Sequence, residues 1–270
     1  MWAAAGPLLR TRVVAALVVA ALLAGCAVPP QAKPADGPVA TAVKAPSRGD
    51  QDGLPVGGAD PGSPDALTRD DLQRFLNVVE RVEPVAEAYC RRFGQNPGGA
   101  RNCNLQIAVD SNPDRPANAY QTLDDAGRPV VVFTFALIAQ TRNEAELAFV
   151  MGHEAGHHIA GHIPARERTA LRGAMMAGVL AAAAGGDHTT VQEAQRQGAE
   201  AGARRYSREF ELEADRIGTD IAYAAGYDPV LGAQFFSRLP DPGDQFLGSH
   251  PANAERQALV AQTMAQLAGQ

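Results

Sequence analysis

The pentapeptide His153-Glu154-Ala155-Gly156-His157 constrains this chain most, because its two histidines are four residues apart. In a helix with 3.6 residues per turn, positions i and i+4 lie one above the other, so both imidazoles can reach one cation. The carboxylate of Glu154 then lies beside that cation, where it can deprotonate a water molecule. A catalytic zinc site also needs a third protein ligand and an open position. The motif therefore predicts a helix and favours a metal-dependent hydrolase.

The residues around the motif support a helical assignment. Asn143 followed three residues later by Glu146 is typical of a helix start, and Gly161 and Pro164 indicate the helix end. Apolar residues recur between these limits at helical spacing, at Leu147, Val150, Met151 and Ala155. This stripe predicts one buried face and leaves the two histidines and Glu154 on the neighbouring flank.

A second helix with acidic residues is predicted about fifty residues downstream, over 207–218. Its predicted buried stripe consists of Phe210, Ala214, Ile217 and Ile221. Glu211 and Asp215 share an adjacent face with Gly218, whereas Glu209 and Glu213 are expected to point elsewhere. Glu211 can be the third metal ligand, and Asp215 can accept the free ring N–H of a ligating histidine. Taken alone, such an acidic run is typical of a solvated helix face.

Three motifs together resemble a known family. They are HEAGH at 153–157, EFELEADRIG at 209–218 and HPANAER at 250–256. This pattern is similar to the gluzincin peptidases of the HtpX-like and CAAX-prenyl-endopeptidase-like type, over a range from about Leu72 to Leu267. Asn118-Ala119-Tyr120 and Glu146-Leu147-Ala148 also look like segments of that family. The resemblance implies an α+β fold, a mainly helical zincin (gluzincin) domain with a small sheet beside the HExxH helix.

The resemblance also implies roles for individual residues. One zinc ion per chain would be held by His153, His157 and Glu211, with Glu154 as general base and Asp215 behind the ligands. His250 and Arg256 would approach the zinc from the C-terminal side. Arg256 could stabilise the oxyanion or orient Asp215, and His250 could occupy the open coordination position and inhibit the enzyme. Two further histidines, His158 and His162, are expected to cap or hydrogen-bond at the end of the motif helix.

The N-terminus predicts export and anchoring. Arg10 and Arg12 precede an apolar run, Val13 to Ala24, which is long enough for a signal peptide and short for a membrane span. The run ends at Cys26 in a sequence that resembles a bacterial lipoprotein signal, so Cys26 is expected to be acylated; the alternative is an ordinary buried or disulfide-bonded cysteine. The residue after Cys26 is Ala27 and not the aspartate often associated with inner-membrane retention. This favours the periplasmic face of the outer membrane over the inner membrane.

Composition divides the chain into three parts: a signal peptide at 1–25, a Pro/Gly/Ala-rich tether at 26–65 and a peptidase domain at 66–270.

Cys90 and Cys103 are an even pair in an oxidising compartment, which predicts a disulfide bond. Two free thiols and a metal pair are the alternatives. The formal net charge of −6 without basic runs argues against a nucleic-acid partner.

Secondary structure can be predicted at several further places. A helix is expected over 72–89, strands over 105–109 and 130–135, and a hairpin turn at 125–127. Zinc proteases commonly bind substrate as an extra strand at a sheet edge, which makes Asn118 and Ala119 candidate substrate-binding residues. The Ala/Gly-rich segments 173–186 and 192–205 predict either a helical hairpin over the cleft or an ordinary packed helix pair.

The function expected from these features is a zinc-dependent endopeptidase that cleaves misfolded or unassembled cell-envelope proteins. Its partners would be periplasmic polypeptides and the outer-membrane assembly machinery. A second hypothesis is an envelope holdase or assembly-factor lipoprotein with a mainly structural zinc, although the chain lacks the cysteine-rich ligand sets of closed zinc sites. A third is a zinc-dependent amidase or esterase that acts on a non-protein substrate.

Overall fold

Helices dominate the fold, and a small three-stranded sheet accompanies them. The computed structural model describes residues 67–94, 102–205, 207–239 and 251–269. The elements in chain order are α1 (Arg69–Phe93), β1 (Gln106–Asp110), β2 (Ala119–Leu123), β3 (Pro129–Thr134), α2 (Phe135–Gln140), α3 (Glu144–Ala160), α4 (His162–Ala183), α5 (His188–Arg204), α6 (Ser207–Ala224), α7 (Pro229–Gly232), a 3-10 helix (Ala233–Arg238) and α8 (Asn253–Ala268). Within the described ranges, no helix has both the length and the hydropathy to cross a membrane.

The sheet has the strand order β1-β3-β2, with β3 parallel to β1 and antiparallel to β2. The predicted hairpin is confirmed: β2 and β3 are joined by a turn in which Gly127 has a φ of 72°. The strand predicted over 130–135 ends one residue early, because Thr134 caps α2 and its Oγ1 accepts a hydrogen bond from the backbone N–H of Leu137. Among the described residues, β2 pairs only with β3, so it is an edge strand of the sheet.

The HExxH helix α3 forms the centre of the core. Leu147, Phe149 and Met151 are fully buried in it, and α1 packs against it through Phe75, Val78 and Val82. Asn143 is the N-cap of α3 as predicted, since its Oδ1 accepts a hydrogen bond from the backbone N–H of Glu146. The burial of α3 fixes the direction of its polar flank, which carries the histidines.

The predicted disulfide bond between Cys90 and Cys103 is present, with a Cα–Cα distance of 5.7 Å. It ties the end of α1 to the segment that leads into β1. A crosslink of this kind stabilises the fold mainly by restricting the unfolded chain.

Two glycines allow α3 and α6 to approach each other closely. A Cβ atom on Gly218 would lie 2.8 Å from the backbone nitrogen of His153, and one on Gly152 would lie 2.9 Å from the carbonyl oxygen of Gly218. Real Cβ atoms are essentially never found so close to backbone. The small residues therefore set the distance between the helix that carries the two histidines and the helix that carries Glu211.

The end of α3 differs from the prediction in one respect. Gly161 does end the helix, in the left-handed conformation with a φ of 76°. Pro164 does not follow as a terminator, because it lies in the first turn of a new helix, α4, that begins at His162. His162 is therefore on a different helix from His157, and the sequence-based placement of both on one helix is wrong.

Helices α4 and α5 form an antiparallel pair. A Cβ on Gly198 would lie 2.3 Å from the carbonyl oxygen of Gly173, so the two backbones are in close contact. The side of α4 with the larger apolar side chains is solvent-exposed, at Leu171, Met175, Met176, Val179 and Leu180. The signal peptide, Cys26, the tether and His250 lie outside the described residues, and their roles stay predictions.

Candidate metal centre

His153 and His157 of α3 and Glu211 of α6 come together at one point. Their ligand atoms all lie within 4.8 Å of one another, and the three residues could hold a metal ion. The two Nε2 atoms are 3.1 Å apart, and the Glu211 carboxylate oxygens lie 3.5 Å from His153 Nε2 and 3.4 Å from His157 Nε2. The spacing-based prediction that these three side chains converge matches this geometry.

A buried ion pair supports His153 from behind. Asp215 Oδ1 lies 2.8 Å from His153 Nδ1, and Arg256 on α8 donates two hydrogen bonds to the same carboxylate, of 2.7 and 2.6 Å. Asp215 is fully buried and Arg256 is 6% exposed. Of the two roles that the resemblance implied for Arg256, this geometry favours orienting Asp215. The guanidinium also lies over the Phe236 ring, 3.7 Å from its centroid.

A second chain of contacts reaches His157. Its Nδ1 lies 2.9 Å from Nδ1 of His162, and Nε2 of His162 lies 3.1 Å from Oε2 of Glu213. Glu213 is outside the ligand set, as expected, but its carboxylate contacts His162, which in turn contacts His157. Sequence reasoning missed this arrangement, because it placed His162 at the end of the motif helix.

The electrostatics distinguish the two histidines. Burial disfavours a charged His153, but hydrogen bonds to Asp215 and Glu211 outweigh it and raise the pKa of His153 to about 10. Burial and the neighbouring His153 lower the pKa of His157 to about 3. Burial also lowers the pKa of His162 from its ordinary value. The cluster thus favours one positive charge at the point where the three ligand groups meet.

Glu154 lies beside this cluster in a cleft of about 590 Å³. Burial raises the pKa of its carboxyl to about 7, and a hydrogen bond from the backbone of Gln121 acts in the opposite direction. A carboxyl group with a pKa near neutrality can both accept and release a proton at physiological pH. Glu154 therefore has the protonation behaviour that a general base and acid requires.

The walls of the cleft come from several elements. Asn118, Ala119 and Gln121 of the β2 region form one side. Apolar side chains line much of the remainder, including Leu137, Phe149, Val150, Ile163, Phe210, Phe235, Phe236 and Leu239. The start of α4 lines the cleft through His162, Ile163 and Arg166, but no residue of the segments 173–186 and 192–205 does. These segments pack against each other, which matches the helix-pair alternative and not a hairpin over the cleft.

Two other described histidines, His158 and His188, lie away from the cluster. His158 Nε2 contacts the backbone carbonyl of Asn102 at 2.7 Å, and His188 is exposed at the start of α5. In the described part of the chain, His153, His157 and Glu211 are the group of histidine, cysteine and acidic residues placed to hold a metal.

A helix with two histidines that could ligate a metal, an intervening glutamate and a candidate third ligand on a neighbouring helix is typical of a metalloprotease site. The comparison with protein families gives the same class, since residues 85–263 match the description "Peptidase family M48". The chain belongs to this family. The family resemblance of the three sequence motifs is thereby confirmed.

Relatives of the chain include proteases of bacteria and of mitochondria. The chain is 33% identical to "Mitochondrial metalloendopeptidase OMA1" of Arabidopsis thaliana over 49% of its own length and 27% of the relative. It is 28% identical to "Metalloprotease LoiP" of Escherichia coli over 69% of its length and 75% of the relative. It is 30% identical to "Beta-barrel assembly-enhancing protease" of Escherichia coli over 47% of its length and 29% of the relative. The chain thus spans less than a third of two of these relatives.

Proposed function

We propose that this protein is a zinc-dependent endopeptidase that acts on cell-envelope proteins. The observation that carries the proposal is the convergence of acceptor atoms at the cluster. Asp215 accepts the Nδ1 proton of His153, so Nε2 is the ring nitrogen that faces the site, 3.1 Å from His157 Nε2 and 3.5 Å from Glu211. Two imidazole nitrogens and a carboxylate gathered in a buried site favour a cation between them, and the raised pKa of His153 reflects the same preference for positive charge.

The donor set and its spacing favour zinc as that cation. Two imidazole nitrogens and one carboxylate, with a fourth position open, are a known catalytic zinc set. Two ligands about 2.0–2.1 Å from a tetrahedral zinc are about 3.3 Å apart, close to the 3.1 Å between the two Nε2 atoms. A zinc bound by His153, His157 and Glu211 would supply a Lewis acid that polarises the scissile carbonyl and acidifies a water molecule.

The chain's own residues then perform the proton transfers. Glu154 takes the proton of the attacking water and delivers it to the leaving amine, which its raised pKa permits. Asp215 holds His153 in the tautomer whose Nε2 can ligate, and Arg256 holds Asp215. The cleft wall around Glu154 is largely apolar, and this partial burial raises the pKa of its carboxyl.

The edge of β2 is the proposed site for substrate backbone. Thr134 N donates to Asn118 O at 3.0 Å, so residues 118, 120 and 122 bond towards β3 and residues 119 and 121 face the open edge. The contact of Gln121 with Glu154 is consistent with that alternation. An extended peptide paired with Ala119 would thus lie beside the general base. This geometry supports Ala119 as a backbone partner of substrate, whereas the backbone of Asn118 bonds to β3 and Asn118 stays a candidate as a residue that lines the cleft.

The names of the relatives guide the proposed substrate class. Relatives named for metalloprotease activity and for beta-barrel assembly favour polypeptides of the bacterial envelope as substrates, and outer-membrane assembly machinery as a partner. Misfolded or unassembled proteins suit a sheet edge because they present extended backbone. The predicted signal peptide and acylated Cys26 would place the enzyme on the periplasmic face of the outer membrane.

Glu154→Gln tests the proposal against the holdase hypothesis. The amide keeps the shape of the side chain but cannot take a proton, so zinc binding should persist while cleavage of an unfolded protein such as casein falls by at least about 100-fold. Glu167→Gln, an exposed change on α4, is the matched control and should leave cleavage unchanged. Cleavage by Glu154→Gln at the wild-type rate, or no cleavage by zinc-loaded wild type, would contradict the proposal.

A further inference from the structure

We propose that His162, held by Glu213, is a positioning residue that prepares His157 for metal binding. The inference rests on the proposed zinc site and adds two residues to it. His162 is the first residue of α4, and Glu213 is on α6, so three helices contribute to the orientation of one imidazole. None of this follows from the spacing of the HExxH motif.

The positions of the protons follow from the hydrogen-bonding capacity of each group. The Glu213 carboxylate can only accept, so His162 must donate to it through Nε2–H at 3.1 Å. A neutral His162 then has a lone pair on Nδ1, which accepts the Nδ1–H of His157 at 2.9 Å. His157 is thereby fixed as the tautomer with its lone pair on Nε2. That atom is the one that faces His153 and Glu211.

The surroundings of His162 limit its rotation. The ring is 5% exposed and stacks on Phe210, with 4.3 Å between centroids and 16° between planes. The left-handed conformation of Gly161 reverses the chain after α3 and brings His162 back against the preceding turn. Glu213 holds the other end of the ring from a half-exposed position. His162 can therefore keep its Nδ1 directed at His157.

Metal affinity is the quantity that separates this role from simple packing. Replacing the partner of a ligating histidine typically weakens metal binding about 10- to 100-fold. His162→Phe keeps an aromatic ring against Phe210 but removes both hydrogen bonds, so we expect its zinc dissociation constant to rise by about 10- to 100-fold. His162→Asn places an acceptor oxygen near the position of Nδ1, so we expect its loss to stay below about tenfold.

A pair of changes on α6 tests the contact between His162 and Glu213. Glu213→Ala removes the acceptor of His162, and we expect zinc binding to weaken by about three- to tenfold. Glu209→Ala removes the same charge from an exposed position of the same helix and should leave the affinity unchanged. Comparing the two separates the contact with His162 from a general loss of negative charge.

The measurement is competitive zinc titration of the full chain, with melting of each zinc-free variant as a check on folding. Wild-type affinity in His162→Phe, equal losses in the Phe and Asn variants, or equal effects of Glu213→Ala and Glu209→Ala would overturn the inference. If His162→Phe does not fold, the other three variants test the inference. His162→Asn should lose less than about tenfold in zinc affinity, and Glu213→Ala should lose more affinity than Glu209→Ala. Failure of wild type to bind zinc would instead refute the proposed function, so the two failures are distinguishable.

Discussion

The two histidines of the metal centre are held by different structures. His153 contacts a carboxylate directly, and both Asp215 and the Arg256 that pairs with it are buried. On its Nδ1 side, His157 reaches a carboxylate only through a second imidazole, and Glu213 at the end of that chain has a side chain that is 53% exposed. In both arrangements a hydrogen bond at Nδ1 leaves Nε2 as the ring nitrogen directed at the site.

The difference shows how tightly each side is coupled to the stability of the fold. A buried carboxylate that pairs with a buried guanidinium cannot be removed without leaving a charge unpaired in the interior. A half-exposed carboxylate is screened by solvent, so its removal affects orientation more than stability. We therefore expect substitutions of Asp215 or Arg256 to alter both folding and metal binding. Substitutions of His162 or Glu213 should alter mainly metal binding.

The largest expected effect is that of Asp215→Ala. The change removes the hydrogen-bonded partner of buried Arg256, whose contact with Glu211 is longer at 3.7 Å, and frees the Nδ1–H of His153. Breaking a buried ion pair from one side costs about 3–5 kcal/mol. Urea unfolding of the zinc-free protein should show a loss of that order, and zinc titration should show weakened binding.

Asp220→Ala is the control for that change on the same helix. Asp220 accepts one hydrogen bond, from the Tyr89 hydroxyl at 2.7 Å, so its removal should cost only about 1–2 kcal/mol and leave zinc affinity intact. The contrast between the two sides of the site would be wrong if Asp215→Ala cost no more than Asp220→Ala.

An intermediate effect is expected at the contact between α3 and α6. Gly218→Ala would place a Cβ 2.8 Å from the backbone nitrogen of His153, so the two helices must move apart. Overpacking of this kind costs about 1–3 kcal/mol. Because the shift moves Glu211 away from both histidines, zinc affinity should fall as well, which a titration would detect.

Gly269→Ala is the matched control, because the nearest atom to its added Cβ would be 3.6 Å away. Equal stability and affinity in the two glycine variants would show that helix spacing does not set the geometry of the site.

The smallest effect is expected on the outer face of α4. Met175 is 60% exposed and lies more than three turns from His162. Met175→Ser should change stability by no more than about 0.5 kcal/mol, as surface substitutions do, and should leave zinc affinity unchanged. Weaker zinc binding in this variant would mean that the whole α4–α5 pair, and not the contacts of His162 itself, positions His157.

Local patterns predicted the parts of the site that depend on one helix at a time. The i, i+4 spacing placed His153 and His157 on one flank, and the acidic pattern of 207–218 placed Glu211 and Asp215 on one face. The Asn143 cap, the β2–β3 hairpin and the Cys90–Cys103 disulfide bond followed from equally local signals.

The features that were missed depend on how the chain folds back on itself. Asn143 and Glu146 correctly indicated the helix start, but the spacing gave no sign that the Glu146 carboxylate accepts from Arg142 N and from Arg238, 92 residues further on. Likewise, Pro164 is as compatible with the first turn of a new helix as with the end of an old one. Neither the restart at His162 nor its contact with Glu213 has a signal in local spacing.

X-ray absorption at the zinc edge of the zinc-loaded full chain tests the central claim most directly. The account predicts one zinc per chain with two imidazole ligands, the remaining ligands oxygen and no sulfur, and with zinc–nitrogen distances of about 2.0–2.1 Å. A zinc with one imidazole or with sulfur ligands would contradict it, as would a protein that takes up no zinc when the metal is supplied in excess.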